Sequence, residues 1–320
     1  MTTPHKLTSA KQRSILFAAS VALCLGVYLR PVLELLRLSL SQDTYSHILL
    51  VPFVSIGLAL MRPRRLREQP APSLAAAAGV FLAGVLIFGL SWGLNWRLGS
   101  QLPAGSTLAL TILSLIFFVW AAFLLFYGIR AFHSLLFPLF FLLLAVPLPQ
   151  MFVDQCITWL QNGSAAVTYG LFHLTGTPVF RSGNIFVLPD FSIEIAKECS
   201  GIRSAVAMLI TCLLAGYLFL RSGWSRIALL VAALPMLVIK NGIRIVTLSL
   251  LAMHVDPGFL NGRLHHEGGF LFFLIGLLIL WPVLIWLQHI EAKHPPRGSR
   301  PDSTPGGGSR AGPAPALPNS

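Results

Sequence analysis

Residues 268–288, GGFLFFLIGLLILWPVLIWLQ, run for 21 positions without a charged side chain. At a rise of about 1.5 Å per residue, a helix of that length spans about 30 Å, the hydrocarbon thickness of a bilayer. This stretch decides the fold class, because it reads as a membrane-crossing helix. Working back toward the N-terminus, similar apolar runs lie at about 227–253, 203–220, 132–146, 106–127, 73–92, 47–61 and 15–29. The pattern predicts an all-α polytopic integral membrane protein with about eight transmembrane helices. An interfacial helix is expected over 153–175, where Asp154, Gln155, Gln161 and Asn162 recur among apolar residues. A short extracytoplasmic loop region follows at 176–194, broken by Gly176, Pro178, Gly183 and Pro189, with a short strand expected over Asn184–Leu188.

Composition agrees with this class. The chain has 320 residues, 55% hydrophobic and 11% charged, and its mean hydropathy is +0.75. A formal charge of +12 in a soluble domain would suggest nucleic acid. Here the Lys and Arg residues sit mainly in short connections between apolar runs, and no basic face is interleaved with aromatics, so nucleic acid is not an expected partner.

The ends are polar. Residues 1–14 are basic and read as a cytoplasmic N-terminus leading into a retained helix, since no small-residue cleavage site precedes Arg30-Pro31. Residues 15–290 form the transmembrane domain, and 291–320, rich in Gly, Pro and Ser, read as a disordered cytoplasmic tail. With both ends inside, fourteen of the 23 Lys and Arg residues are cytoplasmic, including the dense cluster Arg62, Arg64, Arg65 and Arg67. That asymmetry sets the orientation. It places Cys199, Arg244, His265 and His266 in the outer half or on the outer face.

Three polar interruptions carry the chemistry: Glu198-Cys199-Ser200-Gly201-Ile202-Arg203, Asn241-Gly242-Ile243-Arg244 and Leu264-His265-His266-Glu267-Gly268-Gly269. A cysteine flanked by ionisable groups can be a reactive thiolate, because nearby cations favour that form; as a packing residue it would be inert. An arginine inside a span costs at least about 2.5 kcal/mol and marks a functional or paired site, with Glu198 or Glu194 as candidate partners. His265 and His266 read either as loop histidines in water or as an acid/base. Asp43 and His47 read as a hydrogen-bonded pair at the outer rim. Adjacent histidines lack the i, i+4 spacing of metal ligands on one helical face, and no phosphate-binding or nicotinamide fingerprint is present, so neither metal nor cofactor is expected.

These three blocks, in this order, resemble the signature segments of the exosortase/archaeosortase membrane proteases. The upstream Phe137-Pro138-Leu139 to Pro147-Leu148-Pro149 segment and Gly183-Asn184 add to the likeness, which covers roughly residues 40–288. The resemblance implies a membrane cysteine peptidase/transpeptidase of the bacterial inner membrane with its active site facing the periplasm. Its catalytic residues carry over to Cys199, Arg244 and His265, the last chosen over His266 because Gly269 follows four residues on. Glu198, Ser200, Gly201, Arg203, Asn241 and His266 stand in support. Implied partners are exported proteins with a C-terminal sorting signal (a Pro-Glu-Pro type motif, a transmembrane helix and a basic cluster), membrane lipid, and an exopolysaccharide or lipid-linked acceptor. A polytopic transporter or flippase, or a scaffold of an exopolysaccharide export system, is the alternative. A transporter is expected to show paired interrupted helices or an internal repeat, and a scaffold to tolerate loss of Cys199.

Overall fold

The computed structural model describes residues 10–61, 72–98, 105–197, 200–260 and 263–293. It is a polytopic helical membrane protein. The helices are α1 (Ala10–Val27), α2 (Leu29–Ser41), α3 (Val51–Leu60), α4 (Leu74–Leu98), α5 (Ser106–Ser134), α6 (Leu136–Phe141), α7 (Gln150–Leu174), α8 (Ile202–Phe219), α9 (Gly223–His254) and α10 (Arg263–Lys293). Short 3-10 turns cover Asp43–Leu49, Leu142–Ala145 and Pro257–Leu260. Six segments are long and apolar enough to cross a membrane, and eight if each of two bent pairs forms one span. Their outward faces carry large apolar side chains such as Leu86, Leu278, Trp281 and Trp286, which suits a surface against lipid rather than water.

The bent pairs lie where the sequence suggested other arrangements. The stretch after residue 29, which lies between two of the expected apolar runs, is helix α2, turned 77° from α1. The fifth expected span, 132–146, is not continuous: its start belongs to the end of α5, and Leu136–Ala145 is only about 15 Å long at helical rise. It then bends by 93° into α7. Proline explains the break, since Pro147 and Pro149 cannot donate to a helix ladder. Side chains from elsewhere in the chain bond the carbonyls of this broken segment: Ser55 to Pro138, Trp120 to Leu139 and Tyr45 to Leu148, at 2.6, 3.1 and 2.9 Å.

Helix α7, the expected interfacial helix, packs more deeply than such a helix requires. Its residues Ser164, Ala165 and Thr168 are fully buried. A Cβ on Gly163 would come 2.7 Å from Val238, and one on Gly242 would come 2.6 Å from Val167. Two glycines thus let α7 and α9 approach closely, the small-residue packing common between helices in membranes.

The loop region forms a three-stranded antiparallel sheet rather than one strand: β1 (Phe180–Ser182), β2 (Ile185–Val187) and β3 (Ser192–Glu194), in the order β1-β2-β3. Phe180 faces Val187, and Ile185 faces Glu194. Gly183, at φ 61°, makes the tight turn between β1 and β2, in a conformation glycine reaches without steric penalty. Phe186, Leu188 and Ile195 bury against Phe172 of α7 and Val246 of α9. This small core seats the sheet beside the end of α9 that carries Arg244.

Candidate active site

Cys199 and Glu198 lie outside the described residues, but both flanks of that pair are held in place. On the upstream side, Ile195 is buried, and its carbonyl accepts from Nε2 of Gln161 at 2.8 Å. Lys197 pairs with Asp154 of α7 at 3.3 Å. Downstream, the Ser200 N–H donates to the Lys197 carbonyl at 3.2 Å, which joins the two flanks by a backbone bond. Gly201 follows at φ 75° and α8 begins at Ile202.

The turn is clamped on α9. A Cβ at Gly201 would stand 2.9 Å from Oδ1 of Asn241, and Nδ2 of that asparagine donates to Oγ of Ser164 on α7 at 3.0 Å. Asn241 is buried, so its amide links three elements in an apolar setting. Ser204, in the first turn of α8, donates to the Gly201 carbonyl at 3.0 Å and accepts from Nζ of Lys240 at 2.6 Å. Ser200 is buried, and its hydroxyl has no partner among the described residues. Its backbone N–H serves the turn, so the helix-start donors most available to an oxyanion are those of the first turn of α8.

Arg203, next to this turn, pairs with Asp43 at 3.0 Å across the surface. The expected Asp43–His47 bond is absent: Asp43 is turned to Arg203, and Nδ1 of His47 lies 3.1 Å from the Thr44 carbonyl. Glu194, one of the suggested partners of Arg244, is exposed on β3. Arg244 itself is half-buried, one turn along α9 from the buried Lys240.

Helices α8, α9 and α10 follow one another in the chain, pack on each other and alternate in direction. The start of α8, the far end of α9 and the start of α10 therefore share one end of the group. Gly276 marks the level at which all three touch, since a Cβ there would meet Cε of Met208 at 3.1 Å and Cδ of Lys240 at 3.3 Å. Arg244 stands about 6 Å above Lys240 along α9, and His265 about 16 Å above Gly276 along α10. His265 and His266 are helical rather than in a loop, and consecutive helix positions are about 100° apart, so the two histidines occupy different faces. The opposite end of the group is tied by Glu291, whose carboxylate accepts from the backbone N–H groups of Arg221 and Ser222 at 2.9 and 2.7 Å.

Sequence reasoning missed Lys240, Ser204 and Ser164 as members of this site. Lys240 had a readable signal, a cation in an apolar run one turn before Arg244; the two serines had none. Among the described residues no three His, Cys, Asp or Glu side chains converge as metal ligands would. No curated protein and no solved structure matches the chain. A family model described as transmembrane exosortase matches residues 37–282, a range that contains all three motif blocks, helices α8 and α9 and most of α10. The chain belongs to the transmembrane exosortase family.

Proposed function

We propose that this protein is a cysteine peptidase/transpeptidase of the inner membrane that cleaves C-terminal sorting signals on the periplasmic side and passes the shortened protein to a surface acceptor. The observation that carries this reading is the clamp of the Gly201 turn on Asn241, which fixes the segment following Cys199 to the helix that bears Arg244. Cys199 Sγ, as thiolate, attacks the scissile carbonyl carbon. The tetrahedral oxyanion is met by helix-start N–H groups of α8 and by the Arg244 guanidinium. The C–N bond breaks as His265 protonates the leaving amine, and a thioester remains on Cys199. An acceptor hydroxyl or amine then loses its proton to His265 and displaces the thiolate; water in its place gives hydrolysis. Arg244 also favours the thiolate form of the resting cysteine. The higher position of His265 along α10 suits a group that receives an acceptor entering from the aqueous side.

The substrates on this reading are exported proteins whose signal combines a Pro-Glu-Pro type motif, a transmembrane helix and a basic cluster, and the acceptor is an exopolysaccharide or a lipid-linked sugar. The test co-expresses a reporter bearing such a signal with the unchanged chain or with Cys199→Ala, and reads the reporter's intact mass. Shortening that needs Cys199 is expected, and a mass increment on the new C-terminus identifies transfer. Equal shortening with Cys199→Ala would falsify the assignment of the nucleophile.

A further inference from the structure

Lys240 is a cation in the middle of a membrane helix, 2% exposed, and the chemistry proposed above does not use it. An ammonium in such a setting is costly and persists where it is bonded and useful. Its stem passes Gly276 of α10 and Met208 of α8, and its Nζ reaches Oγ of Ser204 at 2.6 Å. Ser204 has a single proton, which it gives to the Gly201 carbonyl at 3.0 Å. Lys240 is therefore the donor of the pair. The result is a chain of bonds from the core of the three-helix group to the left-handed glycine two residues after Cys199.

Arg244, a like charge, stands one turn along α9 from Lys240. The side chain of Lys240 meets Ser204 and Met208 of α8 and Gly276 of α10, and Arg203 of α8 is occupied at the surface with Asp43. The two buried or half-buried cations on one face of α9 thus add to the positive potential at the Cys199 end of the group.

We infer that Lys240 is a positioning residue for Cys199: through Ser204 it fixes the Gly201 turn, and its charge favours the thiolate carried by that turn. This rests on Cys199 being the nucleophile. Lys240→Met keeps the unbranched stem, removes the charge and the bond, and eases insertion of α9 into the membrane. Three quantities are read on the full chain: reporter processing, the thermal midpoint in detergent, and the pH dependence of Cys199 alkylation by iodoacetamide, followed by mass spectrometry of the Cys199 peptide. The expected result is an unchanged or higher thermal midpoint. The alkylation midpoint should rise by about one pH unit, and processing should fall about ten- to a hundredfold. Ser204→Ala cuts the same link from the other side and should lower processing as well. An unmoved alkylation profile in Lys240→Met overturns the inference, whether the thermal midpoint falls or holds, because the lysine then only supports the fold. If instead Cys199→Ala still processes the reporter, the reading of the site fails, while the alkylation profile still reports whether Lys240 acts on that thiol.

Discussion

Oδ1 of Asn241 stands 2.9 Å from the point at which a side chain on Gly201 would begin. The asparagine belongs to α9 and the glycine opens α8, so this approach joins two of the three motif blocks with no room for a methyl group. Gly201 is needed twice, for the contact and for its φ of 75°. Gly201→Ala should therefore cost about 1–3 kcal/mol locally and abolish most processing. Gly170→Ala, where nothing lies within 4 Å, should leave processing and the thermal midpoint in detergent near those of the unchanged protein. Equal behaviour of the two variants would refute the clamp.

The seam between α7 and α9 makes a second prediction. A Cβ at Gly242 would meet Cγ1 of Val167 at 2.6 Å and the Thr168 backbone N at 3.3 Å. Gly242→Ala forces the helices apart and should cost about 1–3 kcal/mol. Adding Val167→Ala removes the worst contact and should recover part of that loss. A double-mutant cycle on thermal midpoints measures it, and additive effects would mean that the two positions do not touch.

Arg244→Lys keeps the charge but not the planar fork of donors. If Arg244 meets a developing oxyanion, processing should drop about a hundred- to a thousandfold at equal amounts of membrane-inserted protein. Activity within a few fold of the unchanged chain would limit Arg244 to a point-charge role.

Glu291 acts at the far end, where it caps the start of α9 through the Arg221 and Ser222 N–H groups. Glu291→Ala leaves those donors without the carboxylate and should lower stability by about 0.5–2 kcal/mol. The loss should appear as a lower thermal midpoint, with Cys199 alkylation unchanged because the site lies at the other end. An altered alkylation rate would show that the two ends are coupled.

Much of the fold was legible because a span must be long and predominantly apolar, and the runs at 73–92 and 268–288 meet that condition without a single charged side chain. The two bent pairs were harder. Arg30-Pro31 and the Pro147–Pro149 break read as ends of helices, whereas α2 starts at Leu29 with Pro31 in its first turn, and α7 resumes helix after Pro149. Only β2 stood out among the strands, since it is wholly apolar while β1 and β3 are partly polar; β1 is paired to β2 by the tight turn at Gly183, and β3 by the turn that the Leu188 N–H closes on the Phe191 carbonyl. The packing of α7 was hidden because Gly163, Ser164, Ala165 and Thr168 fit a close helix–helix seam without raising hydropathy. Within the site, the three blocks were visible as polar interruptions. The links between them were not, because Gly201 meeting Asn241, or Lys240 meeting Ser204, depends on how α8 and α9 are set along one another.

The bend between α6 and α7 places peptide groups outside any helix ladder within an apolar protein. Pro147 and Pro149 bring no N–H to the bend, and the Val146 N–H is taken by the Leu143 carbonyl at 3.0 Å. On the acceptor side, the Leu148 carbonyl is met by the Tyr45 hydroxyl and that of Pro149 by the Phe152 N–H at 2.9 Å. One N–H and two carbonyls of the bend are thereby paired inside the protein. One of these bonds comes from Tyr45, more than a hundred residues upstream, so the 43–49 segment and the 146–149 bend form a single joint, and Tyr45→Phe would leave the Leu148 carbonyl without that donor.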